Sequence, residues 1–249
     1  MGTSNIYNGP GGKNKLLPDW LNNENLTPEQ QDNIANEWKT AKTVFTRALN
    51  NHKKNDYSFI NHYIKAYNGS KGFVKSSVGF KKSFNYLFSF INDVGKFGQA
   101  EAIKKLGDEF IGKTLQEIFI IFSNSYFPSG NDKEESATRD AMTKTFEMIY
   151  MELQLHPNLD VLNDNILNII LRNFISEYVL SRILSDIGRS YEFSKIDKSE
   201  IQEFETNIKK YIRACVDSQI NNINFIQIKK DDINIDEILE SCIKKLGGE

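Results

Sequence analysis

The chain has 249 residues, of which 39% are hydrophobic and 26% are charged, and its formal net charge is −2. This hydrophobic fraction is enough for a core, and the balanced charge excludes an overall field that would favour nucleic acid or an anionic membrane. The two cysteines, Cys215 and Cys242, lie far apart without a partner motif, which predicts a reducing, cytoplasmic location and two buried thiols. No secretory signal is expected, because glycines, asparagines and lysines interrupt the first apolar stretch.

Residues 1–26 are predicted to form a flexible tail. They contain four glycines and two prolines and have no periodic apolar face, so the backbone gains little from a single conformation. The segment LLPDWL is the exception, because four large apolar side chains are not expected in a linker that is fully exposed to solvent. We expect these side chains to dock on the core of this protein or on a partner. They are Leu16, Leu17, Trp20 and Leu21.

Regular helical patterns begin at residue 27. Thr27 can cap a helix, Pro28 suits its first turn, and Gln30 can reach back to complete a capping box. Apolar residues then recur at steps of four and three, which places them on one stripe of a helix. This stripe consists of Ile34, Trp38, Ala41, Phe45 and Ala48. The same rhythm predicts two further helices, one on Tyr57, Ile60, Ile64 and Tyr67 and one on Phe80, Phe84, Leu87, Ile91 and Val94.

The second half of the chain continues with helical patterns. Asn234 and Glu237 predict a capping box for the last helix, and Gly247 predicts its end. The most apolar segment carries charges at residues 172, 177 and 182, which excludes a membrane span and predicts a central core helix with these charges on one side. The segment INNINFIQI at 220–228 is open between a continued helix and a short extended run. The later helices are predicted at about 98–107, 113–124, 135–155, 163–187, 197–217 and 235–246.

These elements predict an all-α fold, an irregular bundle of about eight or nine helices. A single domain is expected over residues 27–249, after a tail at 1–26. The loops FPSGNDKEE and GRSYEFSK separate helical blocks, but neither has the length or composition of a domain linker. No repeat of fixed period stands out, which argues against a solenoid.

The residues show no motif for catalysis, for a metal ion or for a cofactor. His52, His62 and His156 do not pair with cysteine, aspartate or glutamate at a ligand spacing. The carboxylates at 132–135 and 231–232 lie where the start of a helix favours negative charge. The sequence therefore predicts no catalytic residue, metal site or cofactor.

The stretch YNGSKGFVKSSVGFKKSF at residues 67–84 interleaves glycines with lysines. It is not a phosphate-binding loop, because the Gly-x-x-x-x-Gly-Lys-Ser/Thr spacing is absent and no strand precedes it. As a joint between two helices with a basic rim, it could meet an acidic partner or a nucleic-acid backbone. A solvated turn is the alternative that its composition favours.

The opening of the chain resembles a known family. Its pattern comprises MGTS at 1–4, Tyr7, GPGGKN at 9–14, LLP at 16–18 and the pair Trp20 and Leu21. This pattern is similar to the N-terminus of the B component of Qat anti-phage systems. A second similarity is YIKAYNGS at 63–70, and a weaker one is SDIGRS at 185–190.

The resemblance implies membership of a bacterial defence operon. Its other members would be an ATPase (QatA), a QueC-like enzyme of the deazapurine-forming group (QatC) and a TatD-like nuclease (QatD). The B component would not be an enzyme but a substrate, with a deazapurine-type group joined to Gly2 after removal of Met1, which a small second residue permits. The tail residues expected to contact the QueC-like partner are Gly2, Thr3, Ser4, Tyr7, Gly9, Pro10, Gly11, Gly12, Leu16, Leu17, Trp20 and Leu21.

Two other interpretations of the sequence stay open. One is an unmodified helical adaptor that holds the ATPase and nuclease components together. The other is a protein that acts on nucleic acid through the basic turn at residues 71–82. Acidic or histidine side chains clustered beside that turn would favour the second of these interpretations.

Overall fold

A computed structural model describes residues 27–50, 56–113, 117–118, 120–121, 124, 132–155, 164–188, 196–221, 223–225, 227–229 and 232–248. Helices account for most of these residues, and no strand occurs among them, which confirms the all-α class. A 3-10 turn at Asp108–Phe110 follows the fifth helix. The helices with defined bounds are α1 (Pro28–Asn50), α2 (Ser58–Ala66), α3 (Gly69–Ser76), α4 (Val78–Phe97), α5 (Gln99–Leu106), α6 (Lys133–Leu155), α7 (Asp164–Ile187), α8 (Lys198–Ile220) and α9 (Ile235–Gly247).

The first and last helices begin at the caps that the sequence predicts. The backbone N–H of Thr27 donates to Oε1 of Gln30 at 3.0 Å, and the N–H of Gln30 donates to Oγ1 of Thr27 at 3.3 Å. At α9 the Oδ1 atom of Asn234 accepts from the N–H of Glu237 at 3.3 Å. The end of α9 lies one residue later than predicted, because Gly248, with φ of 73°, takes the left-handed conformation that closes the helix.

The helices pack around α7. α6 and α7 form an antiparallel pair, in which Lys133 lies opposite Asp186 and Thr145 opposite Asn173. α1 and α2 form a second pair that contacts α7, α4 lies across α6 and α7, and α9 packs against α2, α3 and α8. In α7 every side chain from residue 173 to 183 is buried, which confirms the prediction of a central helix. None of the helices described here is long and apolar enough to cross a membrane.

The segment at 69–76 is a helix rather than the solvated turn that its glycines and lysines favoured. α3 buries Phe73 and Val74, and the ring of Phe73 lies 5.2 Å from that of Tyr67. Gly72 is required here, because a Cβ atom at this position would lie 1.7 Å from the carbonyl oxygen of Tyr67. Glycine therefore allows α3 to pass close to the end of α2, a tertiary requirement that composition alone does not reveal.

The remaining predicted helices agree with the structure to within three residues at the ends that it describes. Within the predicted helix 113–124, residues 117–118, 120–121 and 124 are helical, whereas Lys113 is not. The helix α8 continues to Ile220 but not to Ile223, and the described residues beyond it form an irregular loop rather than an extended run. Phe225 fills a buried position in this loop, beside the rings of Phe84 and Phe88. The division into a tail at 1–26 and a domain at 27–249 stays a prediction.

Candidate functional site: a buried cluster of tyrosine, arginine and aspartate

A cluster of polar side chains lies inside the protein where α2 meets α7. α2 carries Tyr63, and Tyr67 follows its last residue, so the two tyrosines are four residues apart on one face. α7 carries Arg182 and Asp186 at the same spacing. All four side chains are almost completely buried, with Arg182 only 1% exposed. We call these four residues the tyrosine–aspartate cluster.

Asp186 is the acceptor at the centre of this cluster. Its Oδ2 atom accepts hydrogen bonds from the hydroxyl of Tyr67 at 2.6 Å and from that of Tyr63 at 2.8 Å. Nε of Arg182 donates to the hydroxyl of Tyr67 at 3.1 Å and lies 3.5 Å from Oδ2 of Asp186. Nζ of Lys133 lies 3.8 Å from the other carboxylate oxygen. The negative charge is thus surrounded by two hydroxyl donors and two cations.

The protonation states in the cluster follow from burial and charge. Burial raises the pKa of Tyr63 and Tyr67 well above their ordinary value, and the negative charge of Asp186 raises it further. Burial alone would lower the pKa of Arg182, but the oxygen atoms of the neighbouring tyrosines and Asp186 raise it overall. The tyrosines therefore stay neutral donors, and Arg182 stays charged.

The cluster holds α2 on α7 rather than offering an open reaction site. Its hydroxyl, guanidinium and carboxylate groups bind one another, and each is shielded from solvent. Tyr63 and Tyr67 belong to the segment YIKAYNGS, and Asp186 belongs to SDIGRS. The structure thus brings together two segments that the sequence analysis singled out separately.

The charged side chains of α7 do not lie where the sequence predicted them. They were expected on one side of the central helix, yet Glu177 and Arg182 are both buried. Nζ of Lys209 on α8 lies 2.5 Å from Oε1 of Glu177. Arg172 instead binds the end of α8 through the side chain and carbonyl oxygen of Asn221. The spacing of four between Arg182 and Asp186 inside an apolar segment was the signal that could have indicated a buried pair.

Glu134 forms a second buried carboxylate site at the first turn of α4. Its two oxygens accept from the backbone N–H groups of Gly79 and Phe80, each at 3.0 Å. The hydroxyls of Tyr178 and Thr138 also donate to it, both at 3.1 Å. The sequence assigned the carboxylates at 132–135 to the start of their own helix, which is correct, since Asp132 accepts from the N–H of Glu135 and Glu134 lies in the first turn of α6. The sequence did not predict that Glu134 also caps α4.

The basic segment at 71–82 lies beside acidic residues of α9. Nζ of Lys81 lies 3.2 Å from a carboxylate oxygen of Asp236, and Nζ of Lys244 lies 2.8 Å from one of Glu240. Each of these two carboxylates forms a separate ion pair with one lysine. In the described parts of the chain no group of three or more His, Cys, Asp or Glu side chains is placed to hold a metal ion.

The other residues considered for chemistry have ordinary surroundings where they are described. Nδ1 of His62 lies 2.6 Å from a carboxylate oxygen of Glu37, which links α1 and α2. Cys215 and Cys242 are both buried, as predicted. Burial raises the pKa of both thiols, that of Cys242 to about 12, so neither is an activated nucleophile. His52 and His156 lie outside the described residues.

All the tail residues expected to contact a partner, from Gly2 to Leu21, also lie outside the described residues. Their roles stay predictions.

Comparison with known proteins identifies the family. The family described as Qat anti-phage system associated protein QatB matches residues 69–246, which is more than half of the chain. The chain belongs to the QatB family. It is therefore a component of an anti-phage defence system, as the sequence resemblance implied. No curated protein matches the chain, and no solved structure does.

The QatB match and the earlier resemblance rest on largely different residues. The match begins at the first residue of α3 and runs through α9, so it includes Arg182, Asp186 and Glu134. The tail motif and most of the segment YIKAYNGS precede it. Family membership is thus established by the helical body, independently of the tail.

Proposed function

We propose that this QatB-family chain serves in anti-phage defence as the substrate of a QueC-like partner. After removal of Met1, the α-amino group of Gly2 attacks the activated carboxyl carbon of a deazapurine that the QueC-like partner supplies, so that an amide bond forms while the bond to the activating group breaks and that group leaves. In this proposal the chain is the modified protein and not the catalyst. Membership of the QatB family supports the defence role, and the similarity of the tail motif to the family opening supports the site.

The chemistry of the tail supports the choice of Gly2. A small second residue permits removal of the initiator methionine, and glycine leaves an amine without a side chain beside it. The α-amino group has an ordinary pKa close to neutrality, so a sizeable fraction is unprotonated and able to act as a nucleophile. Glycine-rich backbone also adopts the extended conformations that a narrow pocket requires.

The helical body supports the proposal because it provides a firmly held helix to which the tail is attached. α1 begins with its capping box at Thr27, and its side chain Trp38 packs on Tyr63 at a ring distance of 5.9 Å. Through Tyr63 the helix pair α1 and α2 is connected to Asp186 in the centre of the protein. Residues 1–26 are therefore attached to a helix that is held firmly in the core. In the proposal, Leu16, Leu17, Trp20 and Leu21 fix the base of the tail against a surface.

Substitution of Gly2 tests the proposal in cells that carry the complete defence system. Gly2→Arg keeps Met1 in place, so we expect protection against phage to fall to the level of cells without the system. The circular dichroism of the purified variant should equal that of the wild type, because the substitution lies outside the helices α1 to α9 in the sequence. His52→Ala serves as the control and should protect fully. Full protection by Gly2→Arg would overturn the proposal and favour the unmodified adaptor that holds the ATPase and nuclease together.

A further inference from the structure

α1 begins at the end of the bundle where α2 ends. The ring of Trp38 lies 6.5 Å from that of Tyr67, just after the last residue of α2, whereas the ring of Phe45 lies 5.0 Å from that of Phe59, near the start of α2. α1 and α2 are therefore antiparallel. Residues 1–26 precede α1 in the chain, so they are attached to the helical body at this end of the bundle.

α4 begins at the same end of the bundle. The hydroxyl of Tyr67 donates to Asp186, which lies in the last turn of α7. Nζ of Lys133, in the first turn of α6, lies 3.8 Å from the same carboxylate. The next residue, Glu134, accepts from the N–H groups of the first turn of α4. This series of contacts brings the starts of α1 and α4 to one end of the bundle.

The first half of α4 exposes two hydrophobic side chains with a lysine between them. Val78 is 66% exposed and Tyr86 is 38% exposed, and Lys82 lies midway between them. Successive members are four residues apart, so all three side chains lie on one side of the helix, over about 12 Å. Lys81 forms an ion pair with Asp236, but Lys82 has no ion pair among the described residues. We call Val78, Lys82 and Tyr86 the α4 stripe.

One segment of the tail has a matching order of side chains. In LLPDWL at 16–21, Asp19 stands between the apolar residues Leu17 and Trp20. Pro18 favours extended backbone at the residue before it, and the three steps from this leucine to the tryptophan then cover about 10 Å. This length is close to that of the α4 stripe. One carboxylate can therefore face the lysine of the stripe while an apolar side chain covers each of its ends.

The linker between this segment and α1 is short. Residues 22–26 separate Leu21 from Thr27, and six residue steps span at most about 21 Å. A short linker keeps the segment at a high effective concentration near the end of the bundle to which it is attached. That end carries Val78, the most exposed large hydrophobic side chain among the described residues. These observations favour this segment over a separate molecule as the occupant of the α4 stripe.

We propose that the segment at 16–21 docks on the α4 stripe of its own chain. Trp20 is nearer to α1 and covers Val78, and Asp19 faces Lys82. The leucine two residues before this aspartate packs on the tyrosine at the other end of the stripe. The hydrophobic contacts stabilise the docked segment, and the ion pair fixes its direction, since an exposed ion pair contributes little free energy.

The docking deepens the proposed function, on which it rests for its purpose, because a tail fixed at Leu16 presents Gly2 from a defined surface. Fourteen residue steps separate these two residues, so the terminus reaches at most about 50 Å from the α4 stripe. The contact itself does not require that Gly2 be modified. It is tested on the chain alone, so the two proposals can fail separately.

The test is acrylamide quenching of tryptophan fluorescence in the purified full-length chain without any partner. The chain has two tryptophans, and Trp38 is only 2% exposed, so the quenching reports on Trp20. We expect about half the quenching constant of a free peptide of residues 14–24, because packed atoms shield the docked ring. Val78→Asp should raise the constant to that of the peptide. Met151→Asp changes a hydrophobic residue of equal exposure on α6 and should leave it unchanged.

A charge exchange tests the orientation of the segment. Asp19→Lys and Lys82→Glu should each increase the quenching of Trp20, and the two changes together should restore the shielding, because opposite charges face each other again. Asp19→Lys combined with Lys210→Glu makes the same changes in charge with the second lysine on α8, and it should not restore the shielding.

Each of the other occupants gives a result that would overturn the docking proposal. Quenching in the wild-type chain equal to that of the peptide, with shielding only after the QueC-like protein is added, would show that the segment docks on that partner. Shielding that Val78→Asp and the charge exchange leave unchanged would place the segment elsewhere on the body. Shielding that increases with protein concentration would indicate a second copy of the chain.

Discussion

Glu134 and Asp186 are two buried carboxylates that the protein stabilises in different ways. Glu134 accepts from two backbone N–H groups at the start of α4 and from two hydroxyls, whereas Asp186 accepts from two tyrosine hydroxyls and faces Arg182. The first turn of α6 contributes to both sites. Nζ of Lys133 lies near the carboxylate of Asp186, and the carboxylate of Glu134 caps α4. Two neighbouring residues of one helix therefore connect α6 to two different helices.

The difference between the two sites lies in what is left behind when the carboxylate is removed. At the Glu134 site the remaining groups are dipoles, and the partial charge of a helix terminus is small. At the Asp186 site a whole positive charge on Arg182 would remain buried without its counter-ion. An unpaired buried charge costs more than an unpaired dipole. Loss of Asp186 should therefore be the more damaging of the two.

Asp186→Ala is expected to have the largest effect. It leaves Arg182 buried without its nearest carboxylate and removes the acceptor of two tyrosine hydroxyls. We expect the free energy of unfolding, measured in urea, to fall by about 3–5 kcal/mol. Asp108→Ala at an exposed position is the control and should change it by less than about 0.5 kcal/mol. A loss below about 1 kcal/mol for Asp186→Ala would show that Arg182 does not depend on this carboxylate.

Glu134→Gln should have an intermediate effect. Glutamine keeps one oxygen as an acceptor, but its NH2 group then faces a backbone N–H of α4. We expect a loss of about 2 kcal/mol in the free energy of unfolding, the typical value for a hydrogen bond to a charged group. Glu147→Gln, at an exposed position of the same helix, is the matched control. If the two variants were equally stable, the cap on α4 would contribute nothing.

At alkaline pH the free energy of unfolding should depend on the buried tyrosines and not on exposed ones. Burial raises the pKa of Tyr67 and of Tyr178 well above 10 in the folded protein, whereas the unfolded chain ionises near 10. The native state then holds more protons above pH 10, so stability is complete below pH 10 and falls as the pH rises further. Each buried tyrosine should add about 1.4 kcal/mol per pH unit to this fall.

Tyr67→Phe tests this pH dependence at the Asp186 site, and Tyr178→Phe tests it at the Glu134 site. Between pH 10 and 11 the free energy of unfolding of each variant should fall less steeply than that of the wild type, by up to about 1.4 kcal/mol per pH unit. All other ionisable groups are common to the three proteins, so only the difference in slope is interpreted. Parallel slopes would mean that these hydroxyls ionise as readily in the folded state as in the unfolded one.

The smallest expected effect concerns a buried thiol. Burial raises the pKa of Cys242 to about 12, so the thiol stays protonated at pH 8. We expect a thiol reagent at pH 8 to leave Cys242 unmodified in the folded protein while it reacts completely in urea, as read by peptide mass. Rapid labelling of the folded protein would contradict the buried position of this side chain.

The sequence predicts the helices well but not the polar contacts between them. The stripe from Ile34 to Ala48 is readable because a helix repeats its apolar side chains locally, and each of its members is buried. α3 was missed because the need for Gly72 arises from Tyr67 of another element. The role of Glu134 was missed for the same reason, since its acceptor role involves a helix 54 residues earlier in the chain. The expected site on the tail depends on the family resemblance and not on any local pattern.

The proposed modification of Gly2 can be measured by the intact mass of the protein purified from cells that express the complete system. The account predicts a mass above that of the chain without Met1, with the whole increase on the N-terminal peptide that contains Gly2. The increase should disappear when the QueC-like protein is omitted from the same cells. A mass equal to the unmodified chain, in cells that are protected against phage, would contradict the account.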